Sequence, residues 1–182
     1  MIAVIFAKVS QRLPNKHMLN ICGKPLILRV YEAALNSGLF EDVIIYSKNP
    51  NLNLNVKIIP DNSQGVLIDA IESAIKIFGT IFALGGDMPF LDSEIIRKIH
   101  GNYQNNTVYG MNAESFPEPL LAIYQEGSYI NIEKFKQTSR SISAYLKQYG
   151  KAIPLKEDSW KARSINLAED YNNALKILGC NE

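Results

Sequence analysis

Apolar residues along the chain follow two rhythms, and their alternation predicts a fold class. Ile2–Ala7 is an uninterrupted apolar run rich in β-branched residues, the pattern of a strand covered on both faces. Residues 8–24 are polar and broken by Pro14 and Gly23, so they read as a loop. Pro25 suits the first position of a helix that carries Leu26, Val30, Ala33 and Ala34 on one side and stops at Gly38. Strands follow at 42–47 and 56–59. Leu67, Ile71, Ala74, Ile75 and Phe78 then line one face of a helix over 64–78. The run 80–84 is another buried strand, and 92–103 a helix capped by Asp92 or Ser93.

The second half is less regular. A strand is expected at 120–124, two short helices within 128–149, and a last helix at Ala168–Leu178 with Ala174, Leu175 and Leu178 on one side. Strand and helix alternate through residue 103, which implies right-handed βαβ units and a mostly parallel sheet in one domain spanning 1–182. In such sheets ligands bind beyond the carboxyl ends of the strands. The residues that follow the strands therefore carry the functional question.

After the first strand come Lys8, Arg12 and Lys16, three cations within nine positions. Arg forms forked bonds to phosphate oxygens and Lys supplies a compact charge, so the loop suits a triphosphate. A solvated basic loop is an equal reading of the residue types alone. After the middle strand comes Gly85-Gly86-Asp87-Met88-Pro89. A carboxylate there suits Mg²⁺, which uses one or two carboxylates beside substrate phosphates and water. Its alternative is a plain turn before Pro89. Asp61-Asn62-Ser63-Gln64-Gly65 precedes a helix, and reads equally as a ligand-contacting turn or an N-cap.

Composition narrows the classes. Nineteen basic and eighteen acidic residues leave a net charge of +1, with no basic excess for nucleic acid. The apolar start is too short to span a bilayer, and its cations follow rather than precede it, unlike a signal peptide. Only Cys22 and Cys180 are present, far apart in the chain, so no disulfide framework is expected and a cytoplasmic location is the default.

Five segments, in order, resemble a known family. Ser10-x-Arg12-Leu13-Pro14-x-Lys16, with Gly23-Lys24-Pro25-Leu26, looks like the signature loop of the sugar-nucleotidyltransferase-like superfamily. Its Arg-Leu-Pro wording is closest to CMP-sugar-acid synthetases. Asp87-Met88-Pro89-Phe90 resembles the motif of molybdenum cofactor guanylyltransferases, as do the Gly65 turn, the segment Glu118-Pro119-Leu120 through Tyr124, and Asn166 with Glu169-Asp170. The small-residue run usual at the first strand's end is Phe6-Ala7-Lys8-Val9 here.

The resemblance implies a three-layer α/β/α Rossmann-like nucleotidyltransferase fold with a mostly parallel, mixed central sheet. It implies GMP transfer from GTP to the phosphate of molybdopterin, with pyrophosphate released. Arg12, Lys16 and Asp87 would be catalytic, Asp87 holding Mg²⁺. Phe6, Ala7, Lys8, Arg12, Lys16, Lys24, Asp61 and Gly65 would meet the nucleotide, and Pro119 and Asn166 the acceptor. Neither nucleic acid nor membrane is an expected partner, and the protein is expected as a monomer or small homo-oligomer. Transfer of CMP or GMP to another phosphorylated or sugar-acid acceptor, or nucleotide binding without catalysis, remain as alternatives.

Overall fold

In a computed structural model, which describes residues 1–180, the chain runs through nine strands and six α-helices. The first half contains β1 (Ile2–Ala7), β2 (Asn20–Ile21), β3 (Lys24–Pro25), α1 (Leu26–Ser37), β4 (Val43–Ser47), β5 (Ile58–Pro60), α2 (Leu67–Phe78) and β6 (Ile81–Gly85). Then come α3 (Ser93–His100), β7 (Val108–Met111), β8 (Pro117–Tyr124), α4 (Ser128–Phe135), α5 (Ile142–Tyr149), β9 (Lys151–Pro154) and α6 (Ala168–Leu178). Two 3₁₀ segments, Lys16–Met18 and Lys156–Ala162, complete the chain.

Seven strands form one sheet in the order β5-β4-β1-β6-β8-β7-β9. β1 pairs in parallel with β4 and β6, while β8 is antiparallel to both β6 and β7, so the sheet is mixed. Side chains alternate between its faces. Ala3, Ile5, Phe82 and Leu84 pack with Ile27 and Val30 of α1 and Ile95, Ile96 and Ile99 of α3. Val4, Phe6, Ile81 and Ala83 pack against Ile68, Ile71 and Ile75 of α2 and against residues of α4 and α5. This is the expected three-layer α/β/α arrangement. Both faces are covered, which is why the central strands read as continuous apolar runs rather than alternating ones.

The helix ends follow local chemistry. Gly38 closes α1 in the left-handed region at φ 69°. Asp92 caps α3 by accepting from the backbone N–H of Glu94 and Ile95. α2 starts at Leu67, three residues later than its periodicity suggests, because Gly65 at φ +106° and extended Val66 hold the chain out of the helix. Four strands escape the sequence pattern: β2 and β3 pair as a short hairpin where the sequence reads as a loop and a helix start, and two more lie in the main sheet. β7 has four residues, and its register with β8 shifts between Tyr109 and Gly110. β9 is a four-residue edge strand with only Ile153 buried.

A third, smaller core sits at one end of the sheet. Ile21 of the β2–β3 hairpin, Leu26, Ile165, and Ala174 and Leu175 of α6 are buried together. The expectation of unpaired cysteines is overturned there. Cys22 at the hairpin turn and Cys180 just beyond α6 form a disulfide, with Cα atoms 5.1 Å apart. Their sequence separation of 158 hid a contact that exists only once α6 docks on the hairpin. Cysteine count therefore gives no argument for a reducing compartment. Among the described residues, no helix is long and apolar enough to cross a membrane.

A cross-link over so long a stretch removes much freedom from the unfolded chain, with a typical effect of about 2–5 kcal/mol. Reduction, or Cys180→Ser, is expected to lower the melting temperature by several degrees, read by calorimetry with and without reductant. Identical melting curves would deny the disulfide a stabilising role.

Candidate functional site

Adjacent parallel strands bring two loops together. Phe6 of β1 lies beside Gly85 of β6, and the Gly86 N–H donates to the Phe6 carbonyl at 3.0 Å. The cationic loop after β1 therefore runs alongside the Gly85-Gly86-Asp87 turn after β6. Gly86 is needed for this closeness. A Cβ there would lie 3.1 Å from both His17 Cδ2 and Ile27 Cδ1.

Lys16 is the centre of the arrangement. The 3₁₀ turn Lys16–Met18 buries its side chain, and the ammonium forms an ion pair with Asp87. The same Nζ donates to the Ile165 carbonyl at 3.0 Å and to Asn166 Oδ1 at 3.1 Å. Ile165 returns a bond, its N–H donating to the Asp87 carbonyl at 2.8 Å. A buried ammonium with three oxygen partners meets the condition under which charge can leave water.

Around this centre lies a cleft of about 580 Å³. Phe6, Lys8, Arg12, Lys16, Asp87 and Asn166 all line it, as do His17, Leu67, Leu120 and the stretch from Val9 to Gln11. The sequence pointed to the first six. His17, Leu67 and Leu120 carry no polar motif signal; they follow Lys16, begin α2 and follow Pro119, positions that only the fold turns inward.

The remaining candidates lie elsewhere. Ala7 is buried in the sheet core and borders a smaller cavity of about 50 Å³ that shares Lys8 and His17 with the cleft. Lys24 pairs with Glu32 of α1 at 2.6 Å. Pro119 offers its carbonyl to the Tyr124 hydroxyl at 2.9 Å, and its neighbour Leu120 reaches the cleft instead.

Asp61 is buried, accepts from the Ser63 N–H at 2.9 Å and pairs with Lys48 at 3.2 Å. Lys48 also donates to the Ser63 carbonyl, so it braces the whole turn, a role its isolated position in the sequence concealed. Gly65 stands against α2, where a Cβ would sit 2.6 Å from Asp69 Oδ2 and 3.0 Å from Arg140. Asp69 is itself held by Arg140 at 2.5 Å and Lys136 at 2.8 Å. Asp61 and Gly65 thus brace the turn before α2 and stand outside the lining of the cleft.

Electrostatics favour an anionic guest. Burial lowers the Lys8 pKa from its ordinary value, opposed by the nearby Asp61 carboxylate. Lys8, Arg12 and Lys16 line the cleft against a single carboxylate, Asp87. Glu118 stands outside the lining, and burial raises its pKa.

His17 is the most displaced titrating group of the site. Burial takes its pKa from 6.5 down to about 4, against the pull of Asp87. The imidazole is therefore neutral at physiological pH. The unfolded chain binds this proton below about pH 6.5 while the folded chain resists it until about pH 4. Stability should therefore fall as pH drops through that window, and level off below it. NMR titration of the imidazole is expected to give a midpoint well below 6.5, and His17→Gln should flatten that part of the stability profile. An ordinary midpoint would mean that the ring is solvated.

Comparisons with known proteins agree on the class. The family model described as cytidylyltransferase matches residues 2–172. A pseudaminic acid cytidylyltransferase of Campylobacter jejuni is 24% identical over 184 residues, covering 91% of this chain and 71% of its own length. A probable molybdenum cofactor guanylyltransferase of Thermococcus sibiricus is 29% identical over 138 residues, 69% of each chain. Among solved structures, molybdopterin-guanine dinucleotide biosynthesis protein A from Archaeoglobus fulgidus superposes with a TM-score of 0.78 at 22% identity. That match covers 98% of this chain and 99% of the other.

Proposed function

We propose that this chain, which belongs to the cytidylyltransferase family of nucleotidyltransferases, transfers GMP from GTP to the terminal phosphate of molybdopterin. The observation that carries the transfer reading is the cleft itself, where Lys8, Arg12 and Lys16 face one carboxylate, Asp87, at the carboxyl ends of β1 and β6. Support for the guanylyl branch comes from the Thermococcus relative and from the Archaeoglobus structure, whose length this chain matches almost throughout.

An acceptor phosphate oxygen would attack the α-phosphorus of the bound nucleotide. The new P–O bond forms as the α–β bridging P–O bond breaks, and pyrophosphate leaves. Arg12 and Lys8 would hold the β- and γ-phosphates and offset the charge that builds on the leaving group. Lys16 fixes Asp87 and Asn166 in place through hydrogen bonds to both. No covalent intermediate on the protein is required, so rate enhancement would come from positioning and charge stabilisation.

Mg²⁺ fits this donor set as an ion carried in by the triphosphate. Among the described residues there is no group of three His, Cys, Asp or Glu side chains able to cage a metal. Asp87 and the Asn166 carboxamide oxygen, which converge on the same ammonium, would instead supply one or two ligands beside phosphate oxygens. The ion would neutralise charge on the phosphates.

A second reading keeps the chemistry and changes both substrates. The family description and the Campylobacter relative favour CTP as donor and a sugar acid as acceptor.

The test pairs ligand binding with turnover. A Mg²⁺-dependent thermal shift with GTP, and pyrophosphate release when molybdopterin is added, are expected. A shift with CTP and release with a sugar acid would establish the second reading in its place. Asp87→Asn keeps an oxygen for Lys16 and should leave the melting temperature nearly unchanged while lowering turnover by about 100-fold or more, the scale of losing a charged transition-state contact. Full turnover in that variant would remove Asp87 from the chemistry.

A further inference from the structure

Beside the cationic cleft lies a second pocket of about 380 Å³, between Pro89-Phe90 and one face of α6. Asn166 lines both cavities, so they meet at the side chain that Lys16 holds next to Asp87. A molecule lying in the second pocket would thus present one end at the point where a nucleotide's α-phosphate meets the carboxylate. Its volume falls within the range of small-ligand sites.

The lining has a definite chemical character. Among the described residues, Arg163 is its single cation. Asp170 is its single carboxylate, and that group is committed to the turn before α6, accepting from the N–H of Asn166 at 2.9 Å and of Leu167 at 2.8 Å. Among the described residues, an incoming anion therefore meets Arg163 beside a carboxylate that is already bonded. Asn173 and Ser164 offer neutral hydrogen-bonding groups, and Phe90 and Ile177 offer apolar surface. This mixture suits a compact ring bearing polar substituents and one acid group.

The pocket is also rigid before a ligand arrives. Tyr171 near the start of α6 donates its hydroxyl to the Asn20 carbonyl at 2.7 Å, and the Cys22–Cys180 disulfide tethers the far end. Ala174 and Leu175 are buried beneath the helix. A wall pinned at both ends needs little ordering on binding, which favours affinity.

We propose that this second pocket seats the body of the acceptor, a small anionic ring compound whose carboxylate or phosphate pairs with Arg163 while its reacting oxygen, a ring hydroxyl in a carboxylate acceptor or another oxygen of the same phosphate in a phosphorylated one, reaches past Asn166. The inference rests on the transferase reading, and it assigns Arg163, Asn173 and Phe90 to acceptor recognition rather than to the nucleotide.

Trp160, the only tryptophan in the chain, reports on the pocket, because its ring lies 5.3 Å from Phe90. The intact protein would be saturated with Mg²⁺ and the α,β-methylene analogue of GTP or CTP, which cannot transfer. Pseudaminic acid and a phosphorylated pterin would then be titrated separately while the Trp160 indole N–H resonance is followed by NMR. One of the two should move that resonance saturably, identifying the acid as a sugar carboxylate or a pterin phosphate. Arg163→Gln is expected to weaken that binding about tenfold or more, as for loss of a charged hydrogen bond, with partial rescue by Arg163→Lys. Asn173→Phe should block the pocket. Calorimetric affinity for the nucleotide analogue should stay within about twofold in all three variants, since none of these residues lines the first cleft. An unmoved indole resonance with both probes at millimolar concentration would overturn the proposal, as would binding that both Arg163→Gln and Asn173→Phe leave intact. Loss of nucleotide affinity in the unsubstituted protein would instead strike the transferase reading, and the calorimetry detects that separately.

Discussion

One buried ammonium joins the three parts of the chain that make the site. Lys16 comes from the loop after β1, Asp87 from the turn after β6, and Ile165 and Asn166 from the stretch before α6. A lysine amine removed from water with no partner is costly, so this burial holds only while all three segments are present together. The interaction acts less as a source of net stability than as a condition on geometry. Any arrangement that separates α6 from the β1 loop leaves a charge or a carbonyl without its partner.

The second half of the chain completes the site by way of that condition. β1 and β6 would place the cationic loop and Asp87 side by side on their own, through the parallel pairing of Phe6 with Gly85. Asn166 arrives only through α6, whose seat is the small core of Ile21, Leu26, Ile165, Ala174 and Leu175. The disulfide fastens this seat at its edge. Five buried side chains are a modest core, so a covalent tie between the hairpin and the last helix has a clear structural purpose. The same seat shapes the second pocket, so both cavities depend on how α6 docks.

Charge is distributed unevenly around the sheet, and the unevenness separates function from support. On the α2 side, Asp69, Glu72, Lys136 and Arg140, extended by Lys76 and Glu133, form an ion-pair network that leaves the Gly65 turn little freedom to move. Lys48 closes the Asp61 turn in the same way. In the cleft, by contrast, three cations face one carboxylate. Balanced networks hold backbone in place, and the unbalanced cluster is where an anionic ligand completes the electrostatics.

Much of this was determined by the sequence alone. Periodicity located the six α-helices and the central strands, because strands buried on both faces and helices with one apolar side leave clear patterns. The order of the motifs identified the enzyme class and six of the cleft's side chains. Tertiary structure decided the rest. β7 and β9 are too short and too near the sheet edge to carry a pattern. Lys24 has the right residue type, but Glu32 of α1, eight residues further along the chain, takes its charge. Asp61 and Gly65 lie in the expected turn, but their side-chain and backbone contacts point into its own bracing. The Cys22–Cys180 bond and the pocket beside Phe90 arise where the two ends of the chain meet. Local sequence governs local conformation, whereas proximity between residues more than a hundred positions apart is set by the packing of the whole core.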